Sequence, residues 1–206
     1  MGETNTIWDW KLTAFREKVA SAGQTATGVS VAAVSAALGA SLLQMVLAII
    51  ARRATFAGDP EKLSALRRDA GSNAEQLMRC ADADITAYHA YREARRAKAP
   101  DTEIERRQRV AIGVPLEAAR CSLATLHLCA EAGSFVRGAI AADLATAAIL
   151  LESAVRAMLL CVKENLRRLP VAKIDGECAA LEEGASGVLR EVLHRVQGGV
   201  VLRRDQ

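Results

Sequence analysis

The sequence predicts an all-α protein, a helical bundle built around two central apolar helices. Three observations lead there. Hydrophobic residues make up 51% of the 206-residue chain but aromatics only 3%, so alanine and leucine, both strong helix formers, dominate the apolar set. No segment of strand length alternates apolar and polar residues. Two long stretches, residues 31–50 and 140–168, are apolar on nearly every side, as core helices are.

With few large side chains available, the core must close by bringing backbones near one another, which suits packed helices. A chain of this length can bury a sizeable core in one domain. We read residues 1–206 as one domain with flexible ends at 1–6 and 197–206. Residues 8–20 read as an amphipathic helix with Trp8, Leu12, Phe15 and Val19 on one stripe. A loop of small and polar residues, 21–28, follows, and Ser30 reads as the N-cap of the first apolar helix. In that helix Ala32, Ala36 and Ala40 recur every four residues, as do Ser35, Gly39 and Leu43, which lets a second helix approach closely. Gly58-Asp59-Pro60 breaks the chain. A helix over 61–97 then places Leu63, Leu66, Ala70, Leu77 and Ala81 inward. Pro100-Asp101-Thr102 is the next break, with Asp101 or Thr102 as cap, and Pro115 should kink or restart the following helix. Gly133 and Gly138 bracket a loop before the second apolar helix, which Pro170 ends. A last amphipathic helix spans 174–196.

Composition narrows the function classes. A formal charge of +3 without aromatic-basic interleaving argues against a nucleic-acid partner. The five cysteines are odd in number, form no CxxC pair and mostly lie among aliphatic residues, which suits buried reduced thiols in the cytoplasm. The N-terminus leads into Ile7-Trp8-Asp9-Trp10 and not into a signal core. Residues 31–50 are long enough to span a membrane. Ser35, Ser41, Gln44 and many alanines favour a buried helix instead, so no membrane partner is expected. His89, His127 and His194 lack a second ligand at metal spacing, so no metal site is expected.

Two places could carry chemistry. Asp143 sits in Ala139-Ile140-Ala141-Ala142-Asp143-Leu144, with no lysine or arginine three or four residues away on its own helix. A carboxylate there needs a hydrogen bond or a distant partner. Taken alone, a helix cap or a partner for a distant arginine outweighs a catalytic role. The second is Asp82, Asp84, Tyr88, His89 and Tyr91, where Asp84, Tyr88 and Tyr91 share a helix face. That face reads either as half-buried packing or as a pocket wall with an acid and a stacking surface. Arg92, Arg95 and Arg96 beyond it read as a solvated face. Thr27-Gly28-Val29-Ser30, opening a helix, could offer N–H groups to an anion, a weak signal alone.

In order and spacing these segments resemble the cyclodeaminase/cyclohydrolase family, the helical domain of formiminotransferase-cyclodeaminase and the bacterial methenyltetrahydrofolate cyclohydrolases. The resemblance runs over residues 8–169. Residues 25–30 fall where that family has a Thr-Pro-Gly-Gly-Gly-Ser loop, followed here by Val31-Ala32-Ala33, Leu38-Gly39-Ala40 and Met45-Val46. Asp82-Ala83-Asp84 with Ala87-Tyr88 falls on its acidic-aromatic segment, and Val114-Pro115-Leu116-Glu117 is a close match. Asp143 falls on the Asp of its Ser-Asp-Ala-Gly segment, and residues 159–166 on its Leu-Leu-Asn-Val…Asn-Leu stretch. The chain departs at Ala26, Thr27 and Val29 in the loop, at Ala48, at Ala142, at Cys161 where the family has asparagine, and at Arg53-Ala54-Thr55 in place of a lysine run.

The resemblance implies an enzyme that breaks or exchanges a C–N bond of a tetrahydrofolate one-carbon adduct, with no metal or redox cofactor. It implies Asp143 as the first catalytic candidate and Asp84 as the second. Gly28, Ser30, Asp82, Tyr88 and Asn165 would line the substrate pocket, and Arg53 would attract the folate carboxylates. It also implies a homodimer with sites near the subunit interface. Two other readings stay open: a divergent enzyme on the same scaffold with a non-folate substrate, and a non-catalytic helical binding protein.

Overall fold

The computed structural model describes residues 6–22, 26–53, 58–167, 169 and 171–201, and these are helical almost throughout. The readings made above at residues 1–5, Thr25, Ala54, Thr55, Pro170 and residues 202–206 lie outside that set. A single 3-10 turn, Ile7–Asp9, precedes six α-helices: α1 Leu12–Ala20, α2 Gly28–Ala51, α3 Pro60–Arg96, α4 Asp101–Ala132, α5 Ile140–Leu166 and α6 Ala172–Val201.

Helices α2, α3, α4 and α5 form a closed ring in which each packs on the next and α5 returns to α2. Short connections make successive neighbours antiparallel, the up-down-up-down arrangement of a four-helix bundle. Helix α6 lies outside the ring against α4 and α5, and the 3-10 turn lies against α3.

The core is made mostly of small and aliphatic side chains. Ala33, Ala36, Ala37, Ala40, Leu43 and Leu47 of α2 are buried against Leu144, Ala147, Ala148 and Leu151 of α5. Gly39 is needed where these two helices meet. A Cβ there would lie 3.2 Å from the Ala147 carbonyl oxygen and 3.3 Å from Leu150 Cβ. Leu63, Leu66, Ala70, Leu77 and Ala81 of α3 point inward as their spacing predicts. The thiols of Cys80, Cys121 and Cys129 lie in this core, and burial pushes them up to about 11, 12 and 12.

Several boundaries differ from the sequence reading, each for a local reason. The helix expected over 8–20 splits at Trp10 and Lys11, both of which have extended ψ angles. Trp8 Nε1 donates to the Met78 carbonyl oxygen at 3.1 Å, which turns the indole onto α3. The expected stripe therefore does not bury as one face: Leu12 is 78% exposed. Pro115 does not restart a helix and sits buried inside a continuous α4. Pro100, not Asp101 or Thr102, occupies the N-cap position of α4. Thr27 caps α2 in place of Ser30, which sits three positions later. Helix α6 runs to Val201 where a frayed end was expected from residue 197, and Thr6 is tied to Asp82.

Candidate functional site

Helix α2 begins with a reciprocal cap. The Thr27 hydroxyl accepts from the Ser30 backbone N–H at 3.3 Å, and the Ser30 hydroxyl accepts from the Thr27 backbone N–H at 3.2 Å. Both hydroxyls then donate to one oxygen of Asp84, a residue of α3. Ser30 Oγ is 2.9 Å from Asp84 Oδ2, and Thr27 Oγ1 donates to the same oxygen. The two hydroxyls that open α2 thus also hold a carboxylate on the neighbouring helix. The positive end of the α2 dipole lies beside that carboxylate.

Asp84 is buried, at 5% exposure, and Ser30 is fully buried. Burial pushes the Asp84 carboxyl above its ordinary range. The hydrogen bonds from Thr27 and Ser30 oppose that shift and offset it only in part. A buried carboxylate with a raised proton affinity, lining a cleft, has the physical signature of a functional group.

The cleft beside Asp84 has a volume of about 310 Å³, at the lower end of the range for small-molecule sites. Its walls come from four helices: Thr27 and Gly28 from α2, Asp84 and Tyr88 from α3, Ala111 from α4, and Cys161, Glu164 and Asn165 from α5. The lining is mainly apolar, with Asp84, Glu164, Tyr88 and Asn165 as polar points. Buried Gln108 fixes the end of α5 by donating to the Asn165 carbonyl oxygen at 3.1 Å. Burial, and then the negative charge of Asp84, raise the Cys161 thiol, so it is a poor nucleophile.

A second hollow of about 390 Å³ continues from the first, sharing Tyr88 and Asn165 and adding Tyr91, Arg92, Arg95 and Arg96. The guanidinium of Arg92 lies 5.6 Å from the Tyr88 ring centre, and that of Arg95 lies 5.9 Å from the Tyr91 ring centre. An apolar, carboxylate-bearing cleft thus opens onto a cationic, aromatic-backed rim.

The structure divides the sequence candidates. Gly28, Ser30, Asp84, Tyr88 and Asn165 come together at one end of the bundle. Asp143 does not join them. It is half-buried in the first turn of α5, five helical turns and about 27 Å from Cys161 along the same helix. Arg53 is also at that far end, exposed, with Nη1 donating to the Arg137 carbonyl oxygen at 3.5 Å. It is therefore not positioned to hold the tail of a ligand in this chain's own cleft. Asp82 faces away from the cleft, because residues two apart point to opposite sides of a helix. It accepts from Thr6 Oγ1 at 2.5 Å and from the Ile7 backbone N–H at 2.9 Å, anchoring the N-terminal turn.

Thr27, Glu164, Gln108 and the arginine rim were missed by sequence reasoning as parts of this site. A helix-capping threonine, a helix-end glutamate and a run of arginines are each ordinary in sequence. Only the convergence of three helix ends gives them a shared role.

The formiminotransferase-cyclodeaminase family model matches residues 11–180. Among solved structures, the formiminotetrahydrofolate cyclodeaminase of Thermotoga maritima superposes with a TM-score of 0.85 at 19% identity, covering 94% of this chain and 99% of that one. Among curated proteins none matches significantly. With the family match spanning most of the chain and its all-helical fold shared, the chain belongs to the formiminotransferase-cyclodeaminase family.

Proposed function

We propose that the chain is a folate one-carbon enzyme of the methenyltetrahydrofolate cyclohydrolase or formiminotetrahydrofolate cyclodeaminase type, with Asp84 as its acid-base group. The observation that carries this reading is the buried Asp84 carboxylate, clamped by Thr27 and Ser30 in an apolar cleft. The methenyl bridge of such a folate is an amidinium, cationic and electrophilic at carbon. A carboxylate in a cleft that limits water holds that cation far more strongly than one in bulk solvent.

In the hydrolytic version water adds to the methenyl carbon and Asp84 takes one of its protons. The C–N π pair returns to nitrogen, giving a neutral tetrahedral adduct. Asp84 then gives the proton to one ring nitrogen, that C–N bond breaks and a formyl group is left. The product is neutral where the substrate was cationic, so one proton leaves to solvent. In the deaminating version a substrate nitrogen replaces water, and ammonia leaves with the proton that Asp84 returns. Burial, by raising the proton affinity of Asp84, makes it a better base than a solvated carboxylate. Neither route calls for a metal or redox cofactor.

Tyr88 offers a face on which a pterin stacks, with Gly28 and Asn165 at the walls. Arg92, Arg95 and Arg96 line the rim where glutamate carboxylates would be held, the role that Arg53 was expected to play. The same reading places the enzyme in the cytoplasm as a homodimer.

One observation favours a second reading, a related reaction on a non-folate cation. Thr27 and Cys161 stand in the cleft where the resemblance predicts glycine and asparagine, so the wall is bulkier and less polar. Mixing the protein with 5,10-methenyltetrahydrofolate and following the methenyl chromophore separates these. Loss of the chromophore that depends on Asp84 supports the folate enzyme. Binding without turnover points to a binding protein, and neither binding nor turnover to another substrate.

A further inference from the structure

Asp84 meets its two hydroxyl donors on one oxygen only. Thr27 Oγ1 and Ser30 Oγ both donate to Oδ2, Ser30 at 2.9 Å, and no hydrogen bond among the described residues falls on Oδ1. Each hydroxyl carries a single proton. The two hydroxyl oxygens are 3.3 Å apart, a longer contact than either makes to Oδ2, so both protons go to the carboxylate. The reciprocal cap fixes this aim from behind, because each hydroxyl also accepts the other residue's backbone N–H. A carboxylate oxygen has two lone-pair sites, and two donors fill them. A proton added to Oδ2 would have to displace a hydroxyl.

Oδ1 stands in contrast. Among the described residues no polar side-chain atom sealed from solvent lacks a partner, so Oδ1, which has none, opens into the cleft. The two donors to Oδ2 also differ. Ser30 is fully buried behind the cleft wall, whereas Thr27 is half-buried and lines it. Thr27 thus stands at the edge where a ligand and the carboxylate meet. Few charges compete with it there. Among the described residues α2 and α4 present no charged side chain to the cleft, α5 presents Cys161 and Glu164, and α3 itself presents Tyr88. Arg92, Arg95 and Arg96 lie in the adjoining hollow. Burial raises the proton affinity of Asp84, and the hydroxyls of Thr27 and Ser30, with the Ser30 backbone N–H, oppose it. Losing the Thr27 bond therefore moves the ionisation of Asp84 to higher pH.

We propose that Thr27 is a positioning residue: with Ser30 it fills Oδ2, so that Oδ1 alone, the oxygen facing the cleft, takes up and releases the proton of Asp84. The assignment to Oδ1 needs no folate; its use on a bound one-carbon adduct rests on the function proposed above. There the proton of the attacking water bonds to Oδ1 as its own O–H bond breaks. It returns from Oδ1 to the departing nitrogen, while Oδ2 keeps both donors throughout.

The test compares Thr27→Gly with Thr27→Ser. Glycine is a tolerated N-cap, so it keeps most of the capping of α2 while removing the donor. Serine keeps the hydroxyl. In protein carrying a carbon-13 label at the aspartate side-chain carboxyls, the Asp84 signal is the one missing from Asp84→Asn. It should titrate at higher pH in Thr27→Gly than in the native protein, and at the native pH in Thr27→Ser. With 5,10-methenyltetrahydrofolate the acid limb of kcat should move the same way in Thr27→Gly. At a fixed pH below that limb its rate should fall about tenfold, the order of one hydrogen bond to a charged group. In a neutron or atomic-resolution crystal structure of the native protein in acid, the proton should lie on Oδ1, with both hydroxyls still on Oδ2. An unchanged titration in Thr27→Gly, a shift that Thr27→Ser does not reverse, or a proton on Oδ2 overturns the proposal. Should Thr27→Gly fail to fold, the native crystal decides. The expected titration and proton position in a protein that leaves the methenyl chromophore untouched would uphold this assignment and remove the proposed function instead.

Discussion

Two aspartates at opposite ends of the α2–α5 pair show how position decides what a carboxylate can do. Asp84 is buried, shares a cleft with Tyr88 and Asn165, and is held by two hydroxyls from the cap of α2. Asp143 is half-buried in the first turn of α5, where the helix dipole favours its charge and no side chain among the described residues bonds to it. One end is a formed site within a single chain. The other is a charged edge beside an apolar face. Burial raises the proton affinity of Asp84, where two helices and a cap remove water from the carboxyl. The chemistry proposed above is therefore assigned to the Asp84 end.

The largest test of that contrast is kinetic. Asp84→Asn keeps the shape and an acceptor for Thr27 and Ser30 but removes the base, so kcat should fall about 10²- to 10⁴-fold, the usual weight of a general base. Single-turnover loss of the methenyl chromophore measures it. Unchanged kcat in this variant would move the chemistry away from the formed end. In the native enzyme the rate should rise with pH through the raised Asp84 carboxyl, since the deprotonated form is the active one, and this limb should vanish in Asp84→Asn.

Next in size is the clamp. Ser30→Ala removes a buried donor from a buried carboxylate and half of the reciprocal cap of α2, which should cost about 1–3 kcal/mol. Urea unfolding measures it. Asp82→Ala should cost about 1–2 kcal/mol by releasing Thr6 and Ile7, with kcat intact, because that carboxylate faces away from the cleft. A kcat loss there to match Asp84→Asn would erase the distinction between the two faces of α3.

The smallest effect is on stability against pH. A carboxyl whose folded pKa is raised above its unfolded value binds more protons folded than unfolded. It destabilises the fold above the folded pKa, and that penalty is relieved as pH falls through it toward the ordinary carboxylate value. Asp84→Asn should therefore raise Tm modestly at neutral pH, with the gain shrinking in acid. Thermal melts of the native protein and of Asp84→Asn from pH 4 to pH 7.5 check the sign.

Much of this was legible in the sequence. The small residues at Ala36, Gly39 and Ala40 announce a close helix crossing, because spacing on a helix is fixed by its own geometry. The inward residues of α3 were readable for the same reason. Asp84 and Tyr88 could be placed on one helix face but not assigned a role, since the same spacing describes a solvated surface. Asp143 carried more weight in sequence than Asp84, as a lone carboxylate in an apolar helix, yet it lies at the end of α5 where the chain emerges. The two-residue spacing sets Asp82 and Asp84 on opposite sides of α3, but only the tertiary structure shows that one is tied to the N-terminal turn and the other turned into a cleft.

Sequence by itself determined what is periodic: helix number, the apolar character of α2 and α5, and the small side chains that let them touch. These depend on residues a few positions apart, where one helix's geometry decides neighbours. Only the tertiary structure decided which helix ends converge, and so which carboxylate loses its water. Burial and hydrogen-bonding depend on residues such as Thr27, Asp84 and Cys161 that are far apart along the chain. No local spacing records that their helices meet.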